Sequence, residues 1–219
     1  MIPERITADF WVTLDISKNE TLTLKADNST TVANIEERVN CARTNFEYGD
    51  AHKTAFVSSE FLNLVTFLLE KKTPAQRHIL TENKLRVECI RYTEQLEDKV
   101  GDEENVFITE LNSALYEDLW HFEFFIDFYI QNFDMVFQAL QTSKETTFTY
   151  DKFYVISLPK QSNSDTTRYA QVGMSNGIMT SFDLVNNVKD ATTFTAQAQA
   201  NDFSSHGYVV IPVYNNLCN

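Results

Sequence analysis

Residues 114–140 read ALYEDLWHFEFFIDFYIQNFDMVFQAL, with five acids, no Lys or Arg, and an aromatic or aliphatic side chain at most remaining positions. Whether this segment crosses a membrane, lines a cofactor or forms the centre of a globular fold decides how the rest of the chain is read. At about 100° per residue, Leu115, Leu119, Phe122, Ile126, Tyr129, Ile130, Phe133, Phe137 and Leu140 share one broad face. Glu123, Asp127, Gln131, Asp134 and Gln138 fall on a narrow opposite stripe. The flanks are mixed, with Phe124, Phe128 and Met135 apolar and Glu117, Asp118, His121 and Asn132 polar. This is the pattern of a helix covered on most of its circumference. Each acid near a bilayer centre costs about 2.5–3.5 kcal/mol, so a membrane span is excluded. A helix lying on a lipid surface presents Lys or Arg to anionic headgroups, and none is present.

The helical pattern extends toward the N-terminus. Gly101 separates the segment from a stretch in which Thr73, Pro74 and Gln76 read as a capping box, predicting one helix from 74 to about 100. Before it, VSSEFLNLVTFLLEKK predicts an amphipathic helix over 59–71, with Phe61, Leu64, Val65, Leu68 and Leu69 on one side. The acids at 102–104 mark the start of a third helical stretch running to about residue 143. At the N-terminus the period is two. ITADFWVTLDI and TLTLKA, joined by SKNE, predict a hairpin in which Phe10, Val12 and Leu14 answer Leu22, Leu24 and Ala26. Thr31, Val32, Ile35 and Val39 then predict a capped helix.

Beyond Lys144 the period changes back to two. TTFTYDKFYVISL, RYAQVGMS, IMTSFDLV, TFTAQAQA and YVVIPVYN read as strands, with Asn176-Gly177 as a two-residue hairpin turn. Pro212 places the last strand at an edge or makes it end early. The expected fold class is α+β: an N-terminal β-hairpin plus helix, a central layer of long helices and a C-terminal antiparallel β-sheet. Residues 1–219 are read as a single domain, with a sub-division into a hairpin and helical part, 1–143, and an antiparallel β part, 144–219. Whether the N-terminal hairpin joins the C-terminal sheet is open at this level.

The stretch TLTLKADNSTTVANIEERV resembles the second strand and first helix of ubiquitin-like β-grasp domains. The likeness covers residues 10–39 as a pattern of apolar positions and fades after Val39. It implies a protein-interaction module, not an enzyme.

Composition narrows the chemistry. With 43% hydrophobic and 22% charged residues the chain is of globular type, and 219 residues suffice for a sizeable core. The five glycines are scattered, and none supplies a dinucleotide fingerprint or phosphate loop. Cys41, Cys89 and Cys218 form no CxxC pair and read as reduced thiols. The opening MIPERITADFWVTLDI lacks the basic start, apolar core and cleavage site of a leader, so a cytoplasmic location is expected. The net charge of −13 repels nucleic-acid backbones, so no direct nucleic-acid binding is expected. The charge is local: residues 101–150 carry ten acids and one base.

The candidate chemistries follow from the acidic segment. Asp118 and His121 stand three apart, and His78 precedes them, but no second Glu/Asp-x-x-His partners them as a dinuclear carboxylate centre requires. Glu123 and Asp127, one turn apart, form a carboxylate pair of the kind a hydrolase uses for acid and base. No GxSxG is present, and His52, His78, His121 and His206 have no triad context. No cofactor, metal or catalytic residue is therefore assigned. Arg77, Lys84 and Arg91 recur every seven residues and form a basic stripe on one helix; if that helix and the acidic one make an antiparallel hairpin the stripes can face each other and set register, and whether the acids are paired in this way or exposed is open at this level. The functional expectation is a non-enzymatic interaction or inhibitor protein. It engages a basic protein partner through Glu117, Asp118, Glu123, Asp127 and Asp134 in the region 102–134. The rival is a structural self-assembling subunit, for example of a virion, whose copies cover the apolar helix as a homo-oligomer. The carboxylate hydrolase comes third.

Overall fold

A computed structural model describes residues 2–16, 20–27, 47–48, 52–99, 108–109, 111–113, 115, 123–142, 144–158, 167–176, 178–204 and 207–216. The chain forms two compact units, one of residues 1–73, 80–150 and 216–219, the other of residues 74–79 and 151–215. The class is α+β, as the periodicities require.

In the first unit β1 (Asp9–Asp15) and β2 (Glu20–Asp27) form the expected hairpin. Its register pairs Phe10 with Ala26, Val12 with Leu24 and Leu14 with Leu22, so the alternate apolar residues do share a face. On the other side β1 pairs with β4 (His52–Val57), which in turn pairs with the short β3 (Glu47–Tyr48). The sequence reading missed both strands, because HKTAFV is only half apolar and does not alternate. The open question about the hairpin is answered by β2, which pairs antiparallel with the first residues of β5 (Glu145–Leu158). The other face of this sheet carries a row of threonines from Thr54 through Thr13 and Thr23 to Thr147. Hydroxyl contacts of 3.4 Å between Thr13 and Thr54 and 2.9 Å between Thr23 and Thr147 tie neighbouring strands.

Helices cover the apolar face. Helix α1 (Ser59–Glu70) starts at Ser58, whose hydroxyl accepts from the Phe61 N–H, while Asp9 at the start of β1 accepts from the Ser59 N–H at 2.8 Å. Phe61, Leu64, Val65, Leu68 and Leu69 are all buried, as their helical spacing predicts. One helix was expected over 74–100, but two form: α2 (Pro74–His78) and α3 (Glu82–Glu97). Thr81 adopts an extended backbone and accepts from the Lys84 N–H, so the chain restarts rather than continues, and Leu80, in the link before it, is buried. Residues 108–109, 111–113 and 115 are helical, and α4 (Glu123–Gln131) and α5 (Phe133–Thr142) follow. The helix at 31–39 predicted from sequence lies outside the described residues.

In the second unit the remainder of β5 pairs with β6 (Arg168–Ser175), and β6 with β7 (Ile178–Val185). The Asn-Gly turn is present: Ser175 pairs with Ile178 and Asn176 takes the left-handed φ of 51°. The last strand, β8 (Val209–Asn216), pairs with β5 and runs through Pro212. The expected strand at 193–200 is corrected to an isolated bridge, Phe194 to Tyr154, followed by helix α6 (Gln197–Phe203). Alternating Ala and Gln imitate a strand by period but are strong helix formers, and one inward Ala200 suffices to seat a short helix. Ile156, Ala170, Val172, Phe194, Ala200 and Val210 form one core cluster, and Val155, Tyr169 and Ile211 another. Successive β5 residues thus feed opposite faces of a sheet that is apolar on both.

Candidate functional site

The acidic segment supplies both the centre of the first unit and its candidate site. Along α4 and α5, Phe124, Phe125, Ile126, Phe128, Tyr129, Ile130, Phe133, Val136, Ala139 and Leu140 are buried. Phe125, Tyr129, Phe133 and Phe137 stack in series at centroid distances of 5.7, 5.7 and 5.6 Å, which keeps one aromatic column running through both helices. Phe128 stacks on Tyr150 at 4.7 Å and meets Phe148 at 5.4 Å, fastening α4 to β5. The one continuous helix expected through residue 143 is interrupted at Asn132, whose side-chain amide donates to the Phe128 carbonyl at 3.0 Å. The interruption is slight, because the Asn132 N–H and the Val136 N–H still reach back four residues at 3.0 Å.

The polar stripe survives this interruption. Glu123 and Asp127 lie half-buried one turn apart on α4, Gln131 follows, and Asp134 is exposed in the first turn of α5, with exposed Gln138 beyond. Asp134 is well placed there, since the start of a helix favours a negative charge. Glu117 and Asp118 lie outside the described residues, as does His121.

The three basic residues do not share one helix. Arg77 stands on α2, which groups with the second unit, whereas Lys84 and Arg91 are exposed on α3. The repeat of seven is therefore not carried by one helix, because the Thr81 restart separates its first member. Other bases near α1 and α3 are engaged locally. Lys72 Nζ pairs with Glu88 at 2.6 Å, Arg5 pairs with Glu70, and Lys71 lies 3.8 Å from the Phe67 ring centroid and 5.0 Å from that of Tyr92.

Behind the stripe the same helix is buried. Tyr129 is fully buried, with its hydroxyl 2.7 Å from Thr66 Oγ1, which also donates to the Leu62 carbonyl at 2.6 Å. Burial pushes the Tyr129 phenol well above its ordinary range, although the Thr66 hydroxyl offsets part of the rise. Tyr150 is raised too, first by burial and then by the Glu20 charge. A second polar link lies between α3 and the helical residues 111–113, where Thr93 Oγ1 meets Asn112 Oδ1 at 2.9 Å and the Asn112 amide donates to Glu97 at 3.0 Å. Both links serve to hold helices in register.

Among the described residues no group of three or more His, Cys, Asp or Glu is placed to hold a metal ion, and no helix is long and apolar enough to cross a membrane. A feature that sequence reasoning passed over is the end of the β6–β7 hairpin, where Met174, Ile178 and Met179 are exposed. The signal was present in the Asn-Gly turn, which is flanked by large apolar residues on both sides. Comparison with protein-family models, with curated proteins and with solved structures finds no match, so the β-grasp resemblance of residues 10–39 gains no support from relatives.

Proposed function

We propose that this protein is non-enzymatic and acts by binding a basic protein partner, as an interaction or inhibitor protein, through the acidic helical surface of residues 102–134. The observation that carries this reading is the stripe itself. On two helices otherwise packed with aromatic side chains, Glu123, Asp127 and Asp134 gather on one line with Gln131 and Gln138, and residues 123–142 hold no Lys or Arg. Acids aligned in this way over an aromatic base raise the local negative potential, speed encounter with a basic surface and fix its register. Glu117 and Asp118 extend the same acidic run by sequence. The rival reading, in which other copies cover the apolar circumference, has less to work with, because that circumference is buried within the one chain.

The test compares two triple variants of equal charge change. One carries Glu123→Lys, Asp127→Lys and Asp134→Lys; the other carries Glu82→Lys, Asp190→Lys and Asp202→Lys. Binding of a basic partner captured by the wild-type chain is titrated across NaCl concentration. The first variant is expected to weaken binding at least about tenfold and flatten its salt dependence, with little change in the second. Equal losses in the two variants would mean that only net charge matters and would remove this face as the site.

A further inference from the structure

We infer that Asn176 is a modification site, whose side-chain amide is lost spontaneously to attack by the Gly177 backbone nitrogen, leaving aspartate or isoaspartate at the tip of the β6–β7 hairpin. The site is separate from the acidic stripe and does not rest on it. Asn176-Gly177 is the one Asn-Gly pair in the chain. Glycine has no side chain to shield its nitrogen, so this pair closes a succinimide ring more readily than other Asn pairs do.

The fold decides whether that chemistry is reached. Asn176 is exposed and takes the left-handed φ of 51°. In the left-handed well the following nitrogen is held away from the side chain, so the turn must open before the ring can close. Little resists that opening. The β6–β7 register shifts between Gly173 and Met174, where Thr180 has no counterpart, and past this bulge only Met174 with Met179 and Ser175 with Ile178 are paired. All four of those side chains are exposed, so the strand ends separate without uncovering a core. Below the bulge, Val172 and the partly buried Phe182 belong to the core of the second unit, and the opening stops there.

Asn112 supplies the contrast. Asn-Ser, whose second residue is also small, is another labile pair, and Asn112-Ser113 is the example among the described residues. Asn112 is helical and buried; its amide oxygen accepts from Thr93 Oγ1 at 2.9 Å and its amide nitrogen donates to Glu97 at 3.0 Å. Both residues are marked by sequence, and the fold holds only Asn112 back.

The reaction needs water and hydroxide alone. Hydroxide takes the Gly177 amide proton, the nitrogen bonds to Asn176 Cγ, and the Cγ–Nδ2 bond breaks, the departing nitrogen regaining protons to leave as ammonia. Water then opens the ring. Addition at Cγ gives aspartate, which accepts the left-handed backbone as asparagine does and keeps the turn. Addition at the main-chain carbonyl carbon gives isoaspartate, which lengthens the main chain by one carbon and costs the pairing of Ser175 with Ile178. Either product places a carboxylate in the run from Tyr169 to Phe182, which holds no charge.

The test ages the full chain at physiological temperature, at neutral and mildly alkaline pH. Peptide mapping follows each asparagine, and an isoaspartyl methyltransferase scores isoaspartate. Asn176 is expected to convert at least about tenfold faster than Asn112, and within about tenfold of the rate in a synthetic peptide of residues 172–182. The rate rises with pH, and part of the product accepts methyl groups. Met174→Cys combined with Met179→Cys, oxidised to a cross-strand disulfide, slows the conversion at least about tenfold, and reduction restores it. Asn176 intact in the folded chain after the free peptide has converted, Asn112 converting first, or an oxidised clamp without effect on the rate would overturn the inference.

Discussion

Asn63 shows how much a single buried polar residue organises. Its side-chain carbonyl accepts from the Arg5 and Ile6 N–H groups at 2.8 and 2.9 Å, and its amide donates to the Ile6 carbonyl at 2.8 Å. The amide acts as a surrogate strand that docks the N-terminal segment on α1. Asn63→Ala leaves three backbone groups unpaired and is expected to cost about 2–4 kcal/mol in urea unfolding. Asn63→Asp, which sets an oxygen against the Ile6 carbonyl, should cost at least as much at neutral pH. Alkaline pH gives a second residue-scale prediction. The unfolded chain ionises its thiols near pH 8.5 and its phenols near pH 10, whereas the burial of Cys89, Tyr129 and Tyr150 raises those groups in the native state. Their contribution is whole below those values and is lost as pH climbs above them, so stability should fall from about pH 9 upward. Tyr129→Phe should make that fall shallower while costing about 1 kcal/mol at pH 7 for the lost Thr66 contact. At this scale sequence was a partial guide. The leucines of α1 announce their burial by spacing alone, but Asn63 sits among them looking like a polar interruption, because its partners are 57 and 58 residues away.

Elements obeyed local rules wherever the ends were marked by chemistry within the same few residues. The β1–β2 register, the start of α1 at Ser58 and the Asn176 turn were all legible for that reason. The restart at Thr81 carries a local mark as well, Thr followed by an acid, but the helical period runs on both sides of it and gives no sign of a break. Thr81→Ala removes the side-chain acceptor for the Lys84 N–H and is expected to lower stability by about 1 kcal/mol, measured by thermal unfolding. The period misled at 193–200, where Ala and Gln alternate as in a strand and fold as a helix. The bulge in β6–β7 was invisible, since it depends on which residue faces Gly173 across the sheet. A methyl group there would meet Ser181 Oγ, a short side chain able to rotate. Gly173→Ala should therefore destabilise by only about 1 kcal/mol, and Ser181→Ala in the same chain should restore most of it. Loss that Ser181→Ala fails to restore would place the cost in the backbone.

At the scale of the whole molecule the dominant fact is charge. Ten acids and one base within 101–150 repel one another whatever their detailed placement, so added NaCl should raise the melting temperature from its low-salt value. A melting temperature that falls with salt would show instead that pairs such as Lys72–Glu88 outweigh the repulsion. The acidic stripe of α4 and α5 was readable before any fold was known, because a stripe is a property of one helix. The opposing basic stripe was not, because it presumed that Arg77 and Lys84 share an axis. The joining of the first hairpin to β5 was equally beyond reach, since it matches Lys25 with Glu145 across more than half the chain. That strand has one further consequence. The boundary between the two units falls at residues 150 and 151, inside β5, and residues 74–79 leave one unit for the other and return. No linker exists there at which a gene could be cut. A chain divided between residues 150 and 151 would be cut within a strand that serves both units, so neither part is expected to fold when expressed apart.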